Sequence, residues 1–434
     1  MATNEARNVQ QDTKRDGPVF VVELCRHGDR TPITVFPKDP WPIPTWKWGP
    51  GQLTPVGEAA QYNLGEMLRS KYQPPWPANY TLHAVRARST DVDRCLMSAE
   101  SQLAGIFPPG SGTPHALPHE WQAVPVHTAP IGYDALLRAF DHAHCPRYDQ
   151  IMSRRKEGKA YQAMEKDHAA FLHQVGTLAG MKISLSNLFI VSDTMVCEQA
   201  HGRPWATGMT DDIFKKAVNL SDWTLAQMFA PGPEERRPHE LARLTAGNLV
   251  QQIKELMQLA ADGNEAVPLF QLFSAHDTTV AALLTALNAY DGISPPYNST
   301  VIFELWETDS TTDSTDGTFH VKAYYNWKKI ALPGCPPDSI CSLEDFAKGV
   351  EPIAVESEVD WAAECQVLDA PHHKGVSYLA TTLVGLITFG IGVASTLFFP
   401  KLLSAWKSRA EYMKMDEVPE IDMQATDRTT TGAV

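Results

Sequence analysis

A histidine flanked by arginines at spacings of one and three, in Arg26-His27-Gly28-Asp29-Arg30-Thr31-Pro32, is the part of the chain best equipped for chemistry. Two guanidinium forks at those spacings converge on one anionic group beside the imidazole. A phosphate held there would sit next to a nucleophile. Two later stretches supply what this one lacks. Ser89-Thr-Asp-Val-Asp-Arg94 offers a third arginine on the first turn of a helix, where the side chain and the positive helix end face one anion. By itself Arg94 fits a salt bridge to Asp91 or Glu100 equally well. Ser274-Ala-His276-Asp277 offers a second imidazole and a carboxyl able to protonate a leaving group. Together, Arg26, His27, Arg30, Arg94, His276 and Asp277 meet the demands of phosphate monoester hydrolysis: positive groups around the equatorial oxygens, an in-line nucleophile and an acid at the leaving oxygen. Histidine serves as such a nucleophile through a phosphoenzyme intermediate. The arginines stabilise charge themselves, so no metal or cofactor is expected, and Asp277 must be protonated when it acts.

Each stretch must be delivered by an element. The apolar run 19–24 reads as a buried strand that stops at Arg26-His27, where Gly28 lets the backbone turn tightly. Runs 82–88 and 267–273 read as two more strands whose ends carry Arg94 and His276-Asp277, and ligands of open α/β sheets bind outside such carboxyl ends. Thr54-Pro55 starts a helix, with Val56, Ala60, Leu64, Met67 and Leu68 at helical spacing and Arg69 and Lys71 near its end. The Pro- and Trp-dense segment 36–51 is an irregular loop, either packed on the surface or forming an aromatic rim over the site. From about residue 107 to 266 helical patterns dominate, with 188–191 the one β-branched run, which predicts a mostly helical cap inserted into the core. Runs 300–306 and 318–327 predict a hairpin. The expected fold class is α/β: a central sheet flanked by helices, a helical cap, and one C-terminal transmembrane helix.

That last element is residues 377–400, uncharged and long enough to cross a bilayer at about 20 residues per span. Lys401, Lys407, Arg409 and Lys414 follow it, so the positive-inside bias puts tail 401–434 in the cytosol. The tail holds a tyrosine sorting pattern, Tyr412-Met-Lys-Met415. The remaining divisions are a polar segment 1–17, a catalytic domain 18–366 and a linker 367–376. A formal net charge of -14 argues against nucleic acid as partner, while a local arginine cluster still admits a small anion. Asn79, Asn219 and Asn298 open N-glycosylation sequons. Seven cysteines, Cys25, Cys95, Cys145, Cys197, Cys335, Cys341 and Cys365, lack paired C-x-x-C knuckles, and His142-Ala-His144-Cys145 has no distant second pair, so a zinc site is not expected. The late cysteines suggest disulfides in an oxidising compartment.

The motifs Leu24-Cys-Arg-His-Gly-Asp-Arg-Thr-Pro32, Arg88-Ser-Thr-Asp-Val-Asp-Arg94-Cys-Leu-Met-Ser-Ala99 and Ser274-Ala-His-Asp-Thr278, with Gly51-Gln-Leu-Thr54 and Leu332-Pro-Gly-Cys335, resemble the histidine acid phosphatase family, in the membrane-anchored branch containing the lysosomal and prostatic enzymes. The resemblance covers roughly residues 18–366. It implies His27 as nucleophile, Asp277 as proton donor, Arg26, Arg30, Arg94 and His276 as phosphate-binding groups, and metal-free activity on monoesters at acid pH. It also implies disulfides Cys145–Cys365 and Cys335–Cys341. A third bridge would need a partner for Cys197 where Thr300 stands. Cys95 occupies a position where threonine is usual, and both it and Cys25 read as small buried hydrophobes.

Residues 1–17 lack the apolar run of a signal peptide. Either the span is a tail anchor with a cytosolic catalytic domain, or the true N-terminus differs and the protein is type I, lysosomal or at the cell surface. Sequons, cysteines and charge flanks favour the second. Other readings are a selective lysophosphatidate or inositol-phosphate phosphatase, a phosphoglycerate-mutase-like transferase, and a non-catalytic membrane glycoprotein of the same fold. A homodimer is an open expectation for the assembly.

Overall fold

Strand β1 (Phe20–Arg26) is buried at every position, as a strand covered on both faces of its sheet must be. The computed structural model describes residues 17–73, 76–140, 145–308, 319–336 and 340–367. In chain order the elements after β1 are α1 (Pro55–Tyr72), β2 (Val85–Ser89), α2 (Asp93–Ile106), β3 (Val126–His127), α3 (Pro146–Glu157), α4 (Lys159–Asp167), α5 (Ala169–Ala179), α6 (Phe189–Ala200), α7 (Asp211–Gln227), α8 (Glu240–Ala261), β4 (Phe270–Ala275), α9 (Asp277–Ala286), β5 (Thr300–Glu307), β6 (Phe319–Tyr325), β7 (Lys328–Ile330), β8 (Cys341–Ser342), α10 (Leu343–Val350) and α11 (Glu358–Glu364).

The strands form one mixed sheet in the order β3-β2-β4-β1-β5-β6-β7, with β8 on β6. β1, β4, β2 and β3 run parallel, and β5 and β6 form the expected antiparallel pair. Alternation along β1 divides its side chains between two cores. Val21 and Cys25 face α1 and α2 with Leu64, Leu68, Leu103 and Ile106, while Phe20, Val22 and Leu24 join Leu249, Ile253, Leu283 and Phe346 of α8, α9 and α10.

The interval 107–266 is not one helical layer. His127 pairs with Arg88 to put β3 on the sheet edge, and α8 lays Leu249, Val250, Ile253 and Met257 on the sheet core, because its apolar face spans its whole length. A separate core does belong to the helices before α8. It joins Tyr161, Phe171, Val175, Val191, Met195, Ile213 and Leu220, and Phe36 from the Trp-rich loop enters it. The strand-like run 188–191 opens α6, since Val191 and Met195 recur at helical spacing on that core.

Cys145–Cys365 ties the start of α3 to the end of α11 across 220 residues, and Cys335–Cys341 closes a short loop. Among the described residues no helix is long and apolar enough to cross a membrane. The expected span 377–400, tail 401–434, nearly all of linker 367–376 and of segment 1–17, and the His142-Ala-His144 pair lie outside the described residues.

One backbone contact sets the distance between α1 and the loop after β1. Thr54 caps α1 by accepting a hydrogen bond from the Gly57 amide, and Pro55 fills the first helical position. This presses Gly57 against the loop: a Cβ on Gly57 would lie 2.3 Å from the Asp29 oxygen, and one on Gly28 would lie 2.7 Å from the Gly57 oxygen. Gly57→Ala is therefore expected to lower stability by about 1–3 kcal/mol through overpacking. Urea unfolding of the full chain measures this, and an unchanged midpoint would show that the loop yields freely.

Candidate active site

In-register parallel pairing brings three strand ends to one place. Arg26 at the end of β1 lies opposite Ala275 at the end of β4, and Ser274 of β4 lies opposite Ser89 at the end of β2. His27 thus emerges beside His276-Asp277, and the turn after Ser89 leads directly into α2 and Arg94. His276 occupies the residue before α9, Asp277 begins that helix, and Arg94 is the second residue of α2. All six residues singled out in the sequence meet here.

His27 is 2% exposed and its ring centroid lies 5.7 Å from that of His276. Its Nδ1 is 2.9 Å from the Gly28 carbonyl oxygen. A carbonyl only accepts, so Nδ1 carries the hydrogen and Nε2 keeps a free lone pair. His276 has the opposite tautomer by the same logic. Arg94 donates from Nη2 to its Nδ1 at 3.4 Å, leaving Nε2–H to donate to Thr90 Oγ1 at 3.1 Å.

The arginines are held individually. Arg26 donates to the Pro295 oxygen at 2.5 Å, pairs with Asp277 Oδ2 at 2.8 Å and stacks 4.3 Å from the Tyr297 ring centre. Arg30 forks onto both oxygens of Asp193, at 3.0 and 2.8 Å. Arg94 also donates to the Gly51 oxygen. It is this carbonyl and His276, not Asp91 or Glu100, that hold Arg94 in the hydrogen bonds seen here. In all three arginines the Nε–H is buried with no acceptor, which leaves donors to spare for an anion.

Burial lowers the pKa of His27 well below the imidazole range, and the charges of Arg26, Arg94 and Arg30 lower it further. His276 is lowered in the same way by burial and then by Arg94. Both rings are therefore biased toward the neutral form, relative to an exposed histidine. For Asp277 burial acts upward, but the charges of Arg26 and then Arg30 outweigh it and hold the carboxyl below its usual range.

Several supporting residues escaped the sequence reading. Ser98 Oγ accepts from the Gly28 amide at 3.0 Å, and Gln61 Nε2 donates to the Arg26 oxygen at 2.9 Å. α6 supplies Asp193 to Arg30, while His201 just past it meets Asp29 at 2.9 Å. The signal was present as a polar stripe, Asp193, Cys197, Glu198 and His201, along one face of an apolar helical run.

The cysteine thiols are inert. Burial pushes Cys95 up to about 11 and Cys197 up to about 12. Cys95 packs 3.7 Å from both nitrogens of His276. Cys197, unpaired, lies against Arg30 and the Tyr297 hydroxyl. Asn79 and Asn219 are exposed. Asn298 is different: its backbone amide hydrogen-bonds the His27 oxygen at 3.3 Å and its side-chain oxygen is buried, so this sequon forms part of the wall behind His27. Among the described residues no group of three or more His, Cys, Asp or Glu could hold a metal ion.

Residues 19–326 match the family model of the histidine phosphatase superfamily, branch 2. The human lysosomal acid phosphatase is 38% identical over 382 residues, 85% of each chain. The human prostatic acid phosphatase is 34% identical over 367 residues, 82% of this chain and 89% of that one. Among solved structures, a Citrobacter braakii phytase superposes with a TM-score of 0.57 at 17% identity, covering 81% of this chain and 100% of that one, a likeness of fold.

Asp193→Ala releases the Arg30 fork. Loss of a charge-assisted contact of about 1.5–3 kcal/mol should weaken binding of inorganic phosphate roughly ten-fold or more. Calorimetric titration reads this directly, and an unchanged Kd would mean that Arg30 keeps its aim without Asp193.

Proposed function

The chain belongs to branch 2 of the histidine phosphatase superfamily, and on that premise we infer that it is an acid phosphatase hydrolysing phosphate monoesters through a phosphohistidine on His27. The observation that carries this reading is a neutral imidazole, its Nε2 lone pair free, set among three arginines that each retain an unpartnered Nε–H. In the first step Nε2 attacks phosphorus, the bond to the ester oxygen breaks, and Asp277 gives that oxygen a proton as the alcohol leaves. In the second, water attacks the phosphorus of phosphohistidine, returns a proton to Asp277 and regenerates the imidazole as phosphate departs.

Arg26 explains how Asp277 comes to carry a proton. In the free site the guanidinium 2.8 Å away favours the carboxylate. A bound phosphate claims the arginine charge and adds its own negative charge beside the carboxyl, both of which raise the Asp277 pKa. An acid medium completes the protonation. Burial and the arginines meanwhile hold His27 toward its uncharged form.

In this reading residues 18–366 are the catalytic domain, lumenal or extracellular, and 377–400 anchor it as a type I membrane protein of the lysosome or cell surface. The exposed Asn79 and Asn219 sequons, the Cys145–Cys365 bridge and the compartment in the name of its lysosomal relative support this placement.

His27→Ala should abolish turnover of an aryl phosphate and eliminate the alkali-stable phosphorylated enzyme trapped from labelled substrate; retained labelling would overturn the assignment. Asp277→Asn should reduce kcat for an alkyl monoester by about 10²–10⁴, the contribution of a general acid. The loss should be much smaller for p-nitrophenyl phosphate, whose leaving group needs no proton. Equal losses on the two substrates would remove Asp277 from that role.

A further inference from the structure

One segment wraps the end of β1 without belonging to the sheet. Residues 294–299 are fastened at their start to α7, where Asp222 accepts from the Ser294 amide at 3.1 Å and from the Ser294 hydroxyl. At their end the Ser299 oxygen accepts from the Arg26 amide at 2.9 Å, and the Asn298 amide donates to the His27 oxygen at 3.3 Å. Asn298 takes a left-handed backbone, φ 60°, which asparagine tolerates. Tyr297 lies between these anchors.

Its ring touches two members of the site. The Arg26 guanidinium carbon lies 4.3 Å from the ring centre, and the His27 ring centroid lies 5.9 Å away at an interplanar angle of 43°. The hydroxyl meets only the Cys197 thiol, at 3.7 Å, which is a weak partner. Burial pushes the phenol well above its usual range, so Tyr297 stays uncharged at any working pH.

Arg26 is otherwise held at its edges. Nη1 donates to the Pro295 oxygen at 2.5 Å, and Nη2 pairs with Asp277 at 2.8 Å. The second hold cannot last through the reaction described above, because Asp277 must take a proton before it can give one, and a neutral carboxyl grips a guanidinium less tightly. Contact between the aromatic face and the guanidinium depends on no proton.

We propose that Tyr297 is a positioning residue whose ring supports the face of the Arg26 guanidinium, keeping its unpartnered Nε–H available to phosphate when Asp277 lets go. The inference rests on the phosphohistidine reading of the site. It assigns the role to the ring and none to the hydroxyl.

Binding of inorganic phosphate to the full chain, titrated calorimetrically at pH 5, tests this without turnover, so a negative result leaves the trapping of phosphohistidine on His27 untouched. Tyr297→Phe keeps the aromatic face and should bind phosphate within about two-fold of wild type. Tyr297→Leu and Tyr297→Met fill the space without a face, and each should raise Kd about ten-fold, the size of a partly desolvated cation–π contact. Arg26→Lys keeps the charge but not the planar group that stacks. In that background Tyr297→Leu should cost less than about three-fold, whereas a ring that merely packed the pit would cost the same with either residue at 26. Equal losses in the two backgrounds, leucine and methionine variants that bind like wild type, or a phenylalanine variant as weak as leucine would overturn the assignment.

Discussion

Three guanidinium groups and two imidazoles are gathered beside one another in a pit that excludes most water, and the rest of the structure answers the electrostatic cost of that arrangement. Buried like charges repel strongly, and each needs either a counter-charge or a carbonyl to be tolerated. Asp277 serves Arg26, Asp193 serves Arg30, and the Gly51 carbonyl with His276 serves Arg94. The imidazoles contribute by remaining neutral. The partners differ in what they are free to do: Asp193 lies behind Arg30 as a fixed bidentate support, whereas Asp277 is both the counter-ion of Arg26 and the acid of the proposed reaction. Binding of an anion thus relieves the repulsion among the arginines and converts Asp277 from counter-ion to acid in one event.

Holding these groups demands close backbone approach. The β1–β4 register places His27 and His276 side by side, but their loops would be mobile without support from outside the sheet. Gly28 touches Gly57 backbone to backbone, Ser98 holds the Gly28 amide, and Gln61 holds the Arg26 carbonyl. On the other side Asp193 of α6 holds Arg30, Thr194 of α6 bonds the Thr34 oxygen, and His201 just past the helix holds Asp29. The helices before α8 therefore do more than cover the site. Their own apolar core, with Phe36 inserted into it, gives α6 a rigid base from which to grip the loop.

How far the sequence could be read follows the range of the interactions. Strand ends and their polar cargo were legible because β1 and β4 are short apolar runs bounded by reactive residues, and the helix start at Thr54-Pro55 is local capping chemistry. The six residues of the site could be grouped because one reaction needs all of them. Residues acting through long-range pairing were not legible: Asp193, Ser98 and Gln61 are separated from their partners by 163, 70 and 35 positions, and nothing in their local sequence names those partners. The run 188–191 shows a different limit, that of local composition. Its composition suits a strand locally, yet Leu188 and Val191 pack into a helical core once one is available, while Phe189 stays exposed. Asn298 shows the same limit for motifs, since a sequon triplet carries no information about whether its asparagine meets solvent or is built into the backbone beside His27.

Glu198 of α6 extends this electrostatic logic beyond the reacting groups. The same burial that strips charge from His27 and His276 also strips it from Glu198, but the consequences have opposite sign with respect to pH. A buried histidine loses its proton and is ready as a nucleophile even in acid; a buried glutamic acid retains its proton and is ready as a donor even near neutrality. Asp277 is the exception, because the arginine field overrides burial until an anion neutralises it. Environment thus biases neighbouring titratable groups in three ways: the imidazoles toward the neutral form, Glu198 toward the protonated form, and Asp277 toward the carboxylate. A bound anion opposes the last of these biases, because it takes up the arginine charge that holds Asp277 as a carboxylate.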